Sequence, residues 1–444
     1  MFQSVISVIP VLFRILFMIA LVVLFDTYAY QTIKGLCKTI EHKKARIIKW
    51  SYWIISILFY VLSIFAMGGR LAQFSRGVQV SITGFFFAMF LAKLLMTIPL
   101  VLEDVYRIIH WLRKRFTKAK VEQHSEPATK GLISRKTFIA RSSAGIGALT
   151  FSGLIYGVAK GAHDYKVHRT SVAFPNLPSG FKGLKIGQLS DIHSGSFWDI
   201  KAVERGIDLL LKEQPDIIFF TGDLVNTMAN EMTPEIIALF ARLKAPMGVF
   251  SILGNHDYGD YYQWQDRTHI TEGNSAQSDK SHMSPMQLAN LEEVKSIHKQ
   301  MGWDLLLNEH RILRKGDDSI ALIGVENYGA KGRFARYGVL SDAYEGTQQL
   351  PFKILLSHDP SHWDAQVRKS YKDIDLTFSG HTHGAQLGIE TAGFKWSPIQ
   401  LMYKQWAGLY QEGNQYIYVN RGFGYLGYPG RLGIRPEIAI VTLT

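Results

Sequence analysis

Five short segments carry residues of the kinds that bind metal ions: Asp191-Ile-His193, Gly222-Asp223, Gly254-Asn255-His256-Asp257, Ser357-His358-Asp359-Pro360 and Gly380-His381-Thr382-His383-Gly384. Mixed imidazole and carboxylate donors suit Mn, Fe or Zn better than Ca or Mg. Two imidazoles spaced two apart in a loop, as in His381-Thr382-His383, can reach two neighbouring ions. Two divalent ions held about 3.5–4 Å apart clamp the attacking and leaving oxygens of an in-line displacement. The chemistry expected is hydrolysis at a two-metal site.

Such a site needs ligands converging from several strand ends. Apolar runs precede the segments as strands would: 184–189, 217–220, 249–253, 352–356 and 374–378. Between them, residues 201–213 place Val203, Ile207, Leu210 and Leu211 on one helical side, and 233–243 reads as a second helix. Short apolar strands alternating with helices predict an α/β domain built from βαβ units. Further strands near 319–324, 416–420 and 437–443 would complete a second sheet. The polar, Gly/Ser-rich stretch 258–285 breaks the pattern and opens with Tyr258, Tyr261, Tyr262 and Trp264. It reads as an inserted loop overhanging the site, more often a packed lid than a lipid probe. His269, His282, His298, His310 and His362 stand among polar residues and are expected to be solvated. For Arg421, Arg431 and Arg435 two roles stay open, contact with a substrate phosphate or a salt bridge.

The first part of the chain differs. Residues 2–25, 51–67 and 78–102 are nearly continuous apolar stretches, and a membrane helix needs about 20 such residues. Arg14 and Lys93 lie inside two of them and are expected to face other helices or to snorkel. Residues 1–170 carry 23 Lys/Arg against 7 Asp/Glu, whereas 171–444 carry 26 against 30. The basicity therefore belongs to the membrane part, and no nucleic-acid partner is expected of the acidic remainder. Six Lys/Arg fall in 29–50, two in 68–77 and nine in 104–137. Positive loops stay in the cytoplasm, so the first and third basic segments are placed inside. Within 104–137, Val105, Ile108, Ile109, Leu112 and Phe116 share a helical face. That face fits an amphipathic helix on an anionic leaflet as well as it fits the end of the third membrane helix. Residues 138–160, rich in Ser, Ala and Gly, read as a fourth crossing that puts the rest of the chain outside the cytoplasm. The preceding Ser134-Arg135-Lys136-Thr137-Phe138-Ile139 resembles a twin-arginine signal with Lys for the second Arg. Residues 161–180 read as a linker. One cysteine, Cys37, excludes an intrachain disulfide.

The series D-x-H, G-D, G-N-H-D, a single H and G-H-x-H resembles that of the calcineurin-like metallophosphoesterases over residues 184–443. More narrowly, Leu189-Ser190-Asp191-Ile192-His193-Ser194-Gly195 and Arg435-Pro436-Glu437 are similar to motifs of that superfamily's membrane-attached branch. Ala385 stands where the branch has a second Gly, and is expected to be tolerated with a negative φ. The resemblance implies a four-layer α/β/β/α sandwich over 181–444. A three-helix transmembrane region at 1–120 and a linker at 121–180, holding the helix 138–160, would precede it. It implies two divalent ions, the first bound by Asp191, His193 and His383 and the second by Asn255, His358 and His381, with Asp223 bridging. His256 would contact the phosphoryl group and assist the leaving oxygen, and Asp257 would orient His256 or a ligand. The implied reaction is attack of a metal-bound water on a phosphoester or pyrophosphate. The expected substrate is lipid-linked, a phospholipid or a molecule like UDP-2,3-diacylglucosamine. A soluble-nucleotide phosphodiesterase and a membrane sensor with a structural metal site are the rival expectations. The expected location is the cell membrane, with the catalytic domain on the extracytoplasmic side. Nothing in the sequence sets an oligomeric state.

Overall fold

The computed structural model describes residues 20, 22–67, 70–116, 134–266, 280–332 and 334–444, and the chain divides into two compact units, Met1–Ile155 and Tyr156–Thr444. The first unit contains α1 (residues 22–36), α2 (His42–Met67), α3 (Arg76–Phe116) and most of α4 (Arg135–Ala159). Large apolar side chains on these helices face outwards: Trp50 is 65% exposed and Leu102 64%. Hydrocarbon is the solvent that favours such a surface, because a helix satisfies its own backbone there. Among the described residues, three helical stretches are long and apolar enough to cross a membrane, His42–Leu62, Arg76–Phe116 and Arg135–His163. Most of the first apolar run, with Arg14, lies outside the described residues. The basic stretch after 104 is no separate helix up to Phe116. α3 runs unbroken through it, for about 60 Å at 1.5 Å per residue.

Lys93 does not snorkel. Its Nζ lies 2.7 Å from Asp26 Oδ1 and donates to Ser56 Oγ at 2.9 Å. Tyr52 Oη donates to the same Asp26 carboxylate at 2.5 Å, and Tyr60 does so as well. Asp26 and Lys93 are both buried. Removing one partner of a buried pair leaves the other uncompensated, at a cost of about 3–5 kcal/mol. Asp26→Leu is therefore expected to lower the thermal unfolding midpoint in detergent sharply. The double variant Asp26→Leu/Lys93→Met should recover most of the loss, and no recovery would show that the pair is not what holds α1 to α3.

The second unit is built on two six-stranded sheets. The first has the order β1 (Lys166–Val172), β14 (Glu437–Leu443), β2 (Lys185–Leu189), β3 (Ile217–Thr221), β4 (Val249–Ile252), β5 (Asp304–Leu305). The second has the order β12 (Gly408–Glu412), β13 (Gln415–Val419), β9 (Leu376–Ser379), β8 (Lys353–Leu356), β7 (Asp318–Gly324), β6 (Glu309–Lys315). A separate hairpin joins β10 (Ile389–Thr391) to β11 (Phe394–Trp396).

Ile186, Phe219 and Ile252 of the first sheet meet Leu356, Leu376 and Phe378 of the second in a buried layer. The other face of the first sheet packs on α5 (Ile200–Lys212), α6 (Pro234–Phe240) and α7 (Pro285–Gln300) through Val203, Ile207, Phe240 and Val294. Each helix starts where an oxygen caps it. Asp199, Thr233 and Ser284 accept the backbone N–H of Ala202, Ile236 and Gln287, and Pro234 and Pro285 occupy first-turn positions. Trp363 and Val367 cover Ile323, Leu355 and Val419 on the outer face of the second sheet. The layers are thus α/β/β/α.

One element escapes the sequence pattern. Residues 161–180, expected as a linker, contain β1, which pairs in parallel with β14 over seven positions. Its sequence, Lys-Val-His-Arg-Thr-Ser-Val, has no apolar run because it is an edge strand with most side chains partly exposed.

Candidate metal centre

β2, β3 and β4 run parallel, with Leu189 beside Phe220 and Thr221 beside Ile252, so their carboxyl ends align at one edge. β8 and β9 are parallel too, Leu356 beside Phe378. Every segment singled out in the sequence follows one of these five ends. The loops are tightly apposed. A Cβ at Gly254 would collide with Asp223 Oδ1, and one at Gly380 with Ser190 and Asp191. Only glycine permits that approach.

The backbone at the candidate ligands is strained. Asp191, His193, Asp223, His381 and His383 have φ of 53°, 48°, 60°, 70° and 50°. Left-handed backbone costs roughly 1–2 kcal/mol per L-residue, and such strain persists where the surroundings over-determine it. Here they do. Asp257 is fully buried, and its carboxylate accepts the backbone N–H of Asp223 (3.0 Å), Leu224 (2.8 Å), Val225 (3.2 Å) and Gly254 (2.8 Å). Asp257 therefore clamps the two loops that carry Asp223 and Asn255. Burial and the adjacent Asp223 charge push it up to about 7.

The side chains form two groups, Asp191–His193–His383 and Asp223–His358–His381, the ligand atoms of each lying within 4.8 Å of one another. His383 Nε2 is 3.2 Å from Asp191 Oδ1 and 3.1 Å from His193 Nε2. Asp223 Oδ2 is 3.2 Å from His358 Nε2 and 3.5 Å from His193 Nε2, so one oxygen faces both groups. Asn255 Oδ1 lies 3.1 Å from His358 Nε2 and 2.7 Å from His381 Nδ1. Donors each about 2.1 Å from a common ion sit roughly 3.0–3.4 Å apart; four of the separations, at 3.1–3.2 Å, match that spacing, while His381–Asn255 is shorter at 2.7 Å and His193–Asp223 longer at 3.5 Å. The donor set fits divalent ions.

Neighbours fix the donor atoms. His358 Nδ1 donates to the Thr221 carbonyl at 2.7 Å, leaving Nε2 for the site. Tyr261 accepts Asn255 Nδ2 at 2.8 Å, which turns the amide oxygen inwards. His381 Nε2 lies 3.0 Å from Tyr403 Oη, so its Nδ1 is the inward atom. His256 Nδ1 donates to the Asn226 carbonyl at 2.8 Å, and its backbone N–H donates to Asp223 Oδ1. Burial alone would raise Asp223, yet the His358 charge facing it holds it well below the usual carboxylate range. In turn burial would lower His358, and Asp223 outweighs this to hold it up at about 10. Burial pushes His193 and His381 down, which keeps their lone pairs available.

Several expectations need correction. Ala385 has φ +51°, not a negative value. Ala385→Gly should therefore stabilise the protein by about 1 kcal/mol, read as a raised thermal midpoint; an unchanged or lowered midpoint would show that the loop relaxes around the methyl. His298 and His362 are buried rather than solvated, His298 on Ser251 Oγ and His362 on Ser357 Oγ. His269 lies outside the described residues. Of the two roles left open, Arg421 and Arg435 take the salt bridge, Arg421 with Glu390 and Glu437 and Arg435 with Asp164. Of the aromatic cluster, Tyr258 and Trp264 are buried while Tyr261 and Tyr262 remain exposed. Sequence reasoning did not pick out Tyr403 or Asn226; no local pattern marks a residue whose role is to hold a ring nitrogen.

Residues 184–385 match the calcineurin-like phosphoesterase family model, and residues 12–162 match the model for the transmembrane domain of calcineurin-like phosphoesterases. The metallophosphoesterase YkuE of Bacillus subtilis is 30% identical over 317 residues, 70% of this chain and 98% of that protein. A transmembrane protein with metallophosphoesterase domain from Danio rerio is 28% identical over 299 residues, 65% of this chain and 60% of that one. The UDP-2,3-diacylglucosamine pyrophosphatase LpxG of Chlamydia trachomatis is 31% identical over 287 residues, 56% of this chain and 81% of that one. On these matches the chain belongs to the calcineurin-like metallophosphoesterases, as a membrane protein that hydrolyses phosphoesters with divalent metal.

Proposed function

We propose that the chain is a membrane-anchored dinuclear phosphoesterase acting on a lipid-linked phosphoester or pyrophosphate. The observation that carries this is Asp223 Oδ2, shared between two ligand groups beside His256. Asp191, His193 and His383 would hold one ion, Asn255, His358 and His381 the other, and Asp223 both. When bound, the ions supply positive charge to the phosphoryl oxygens and lower the pKa of a coordinated water. His256, its Nδ1 proton committed to Asn226, presents Nε2 to the phosphoryl group and can give a proton to the leaving oxygen. Asp257 keeps the two loops in register.

Membrane anchoring and the similarity to a diacylglucosamine pyrophosphatase support a lipid substrate. The basic segments at 29–50 and 104–137 support an extracytoplasmic catalytic unit. Cleavage of a UDP-linked lipid would instead need that unit in the cytoplasm. The test uses the full-length protein with Mn, Fe, Zn or chelator, on an aryl phosphodiester, an aryl phosphomonoester, a soluble nucleotide and lipid phosphoesters in mixed micelles. Metal-dependent turnover that favours the lipids is expected. Preference for soluble nucleotides with no gain from micelles would overturn the lipid assignment, and no turnover with any metal would favour a structural site.

A further inference from the structure

The β10–β11 hairpin is inverted with respect to an ordinary surface hairpin. Directly opposed residues of an antiparallel pair share a face, and here Ile389 opposes Trp396 while Thr391 opposes Phe394. That face is open: Ile389, Phe394 and Trp396 are all exposed, Phe394 at 56%. The charged pair Glu390–Lys395 occupies the opposite face and is turned towards the body of the unit. Glu390 pairs with the buried Arg421, and Lys395 Nζ donates to the Ala407 carbonyl at 2.5 Å and to Tyr410 at 3.2 Å. The segment that follows adds two more exposed apolar residues, Leu401, 86% exposed, and Met402, 59% exposed. Water does not favour charges held inwards and Phe, Trp, Leu and Met held outwards; such a patch marks an interaction surface.

We propose that this hairpin and the loop at 401–402 enter the hydrocarbon of a lipid leaflet. Large aromatic and aliphatic residues backed by cations are the pattern of interfacial insertion. The cations are present: Lys331 Nζ donates to the Met402 carbonyl at 2.5 Å, and Lys404 is exposed beside it, which suits anionic headgroups. The chain is held at a membrane by its own helices, so a leaflet is always at high effective concentration. Tyr403, the residue after Met402, touches His381 of the metal centre. Insertion therefore sets the site beside the headgroup layer. The insertion rests only on the chain being a membrane protein; its consequence for catalysis rests on the lipid-substrate reading above.

The test labels Leu401→Cys, in a Cys37→Ser background of the full-length protein in nanodiscs, with an environment-sensitive dye. Glu345→Cys, exposed on another loop, is the reference. Blue-shifted emission at 401, quenched by a nitroxide placed in the acyl chains, is the expected result. Equal access of an aqueous quencher to both sites would overturn the proposal. So would protection at 401 without lipid-phase quenching, joined to cross-links between two copies, which would assign the face to a second chain. Phe394→Ser/Trp396→Ser/Leu401→Ser should leave soluble aryl ester hydrolysis unchanged and lower kcat/KM on vesicle-embedded lipid phosphoester by about tenfold or more. If wild type turned over no lipid phosphoester, the substrate reading would fail while the quenching data still decided the hairpin.

Discussion

Asp223→Asn is expected to lower kcat by about 10³-fold or more, since losing a single preorganised electrostatic group already costs ~10²–10³. One oxygen of Asp223 faces His358 and the other ligand group's His193, at 3.2 and 3.5 Å. The amide keeps the volume but carries no charge, and so binds neither ion well. The loss should thus appear first as metal content, measured by elemental mass spectrometry on purified protein. The backbone should hold, because Asp257 clamps the Asp223 loop through backbone N–H groups that the substitution leaves in place. Wild-type metal content with activity within about tenfold of wild type would remove Asp223 from its bridging role. Loss of fold instead would show that its charge is needed against His358 before any metal binds.

The candidate ligands were legible in the sequence for a physical reason. Each follows an apolar run whose burial makes it a central strand: β2, β3, β4, β8 and β9 are almost wholly buried. Strand ends in a layered α/β fold leave few places for Asp and His to go. What was hidden depends on partners distant in the chain. Lys93 read as a charge in an apolar run, and only the fold shows Asp26 across from it. Asp257 read as a residue next to His256, yet its carboxylate serves backbone some 30 residues earlier. Tyr403 lies 22 residues from His381 in a loop with no periodicity. The left-handed backbone of Ala385 is set by how the loop after β9 closes, not by its neighbours' identities. The inverted hairpin is the same case. Its alternation shows a strand with two unlike faces, but which face meets the protein is decided by Arg421.

His256→Ala should cost about 10²–10⁴ in kcat, the usual worth of a positioned general acid, while metal content stays at the wild-type level. His256 belongs to neither ligand group, and its ring is held from outside the metal centre by the Asn226 carbonyl. That carbonyl is itself fixed, because Glu231 accepts the backbone N–H of Asn226, Thr227 and Met228 at 2.6, 3.0 and 3.0 Å. With Nδ1 committed, only Nε2 is free to serve the leaving oxygen. The loss must then depend on that oxygen's basicity. An aryl ester, whose phenolate departs without a proton, should lose little; an alkyl or glycerol ester should lose most. His256→Gln separates the two parts of the role. Its amide can still hold a phosphoryl oxygen and should restore KM, but it has no proton to give and should not restore kcat on the alkyl ester. Equal losses on aryl and alkyl esters, or loss of metal from the alanine variant, would assign His256 to the structure of the centre rather than to proton transfer.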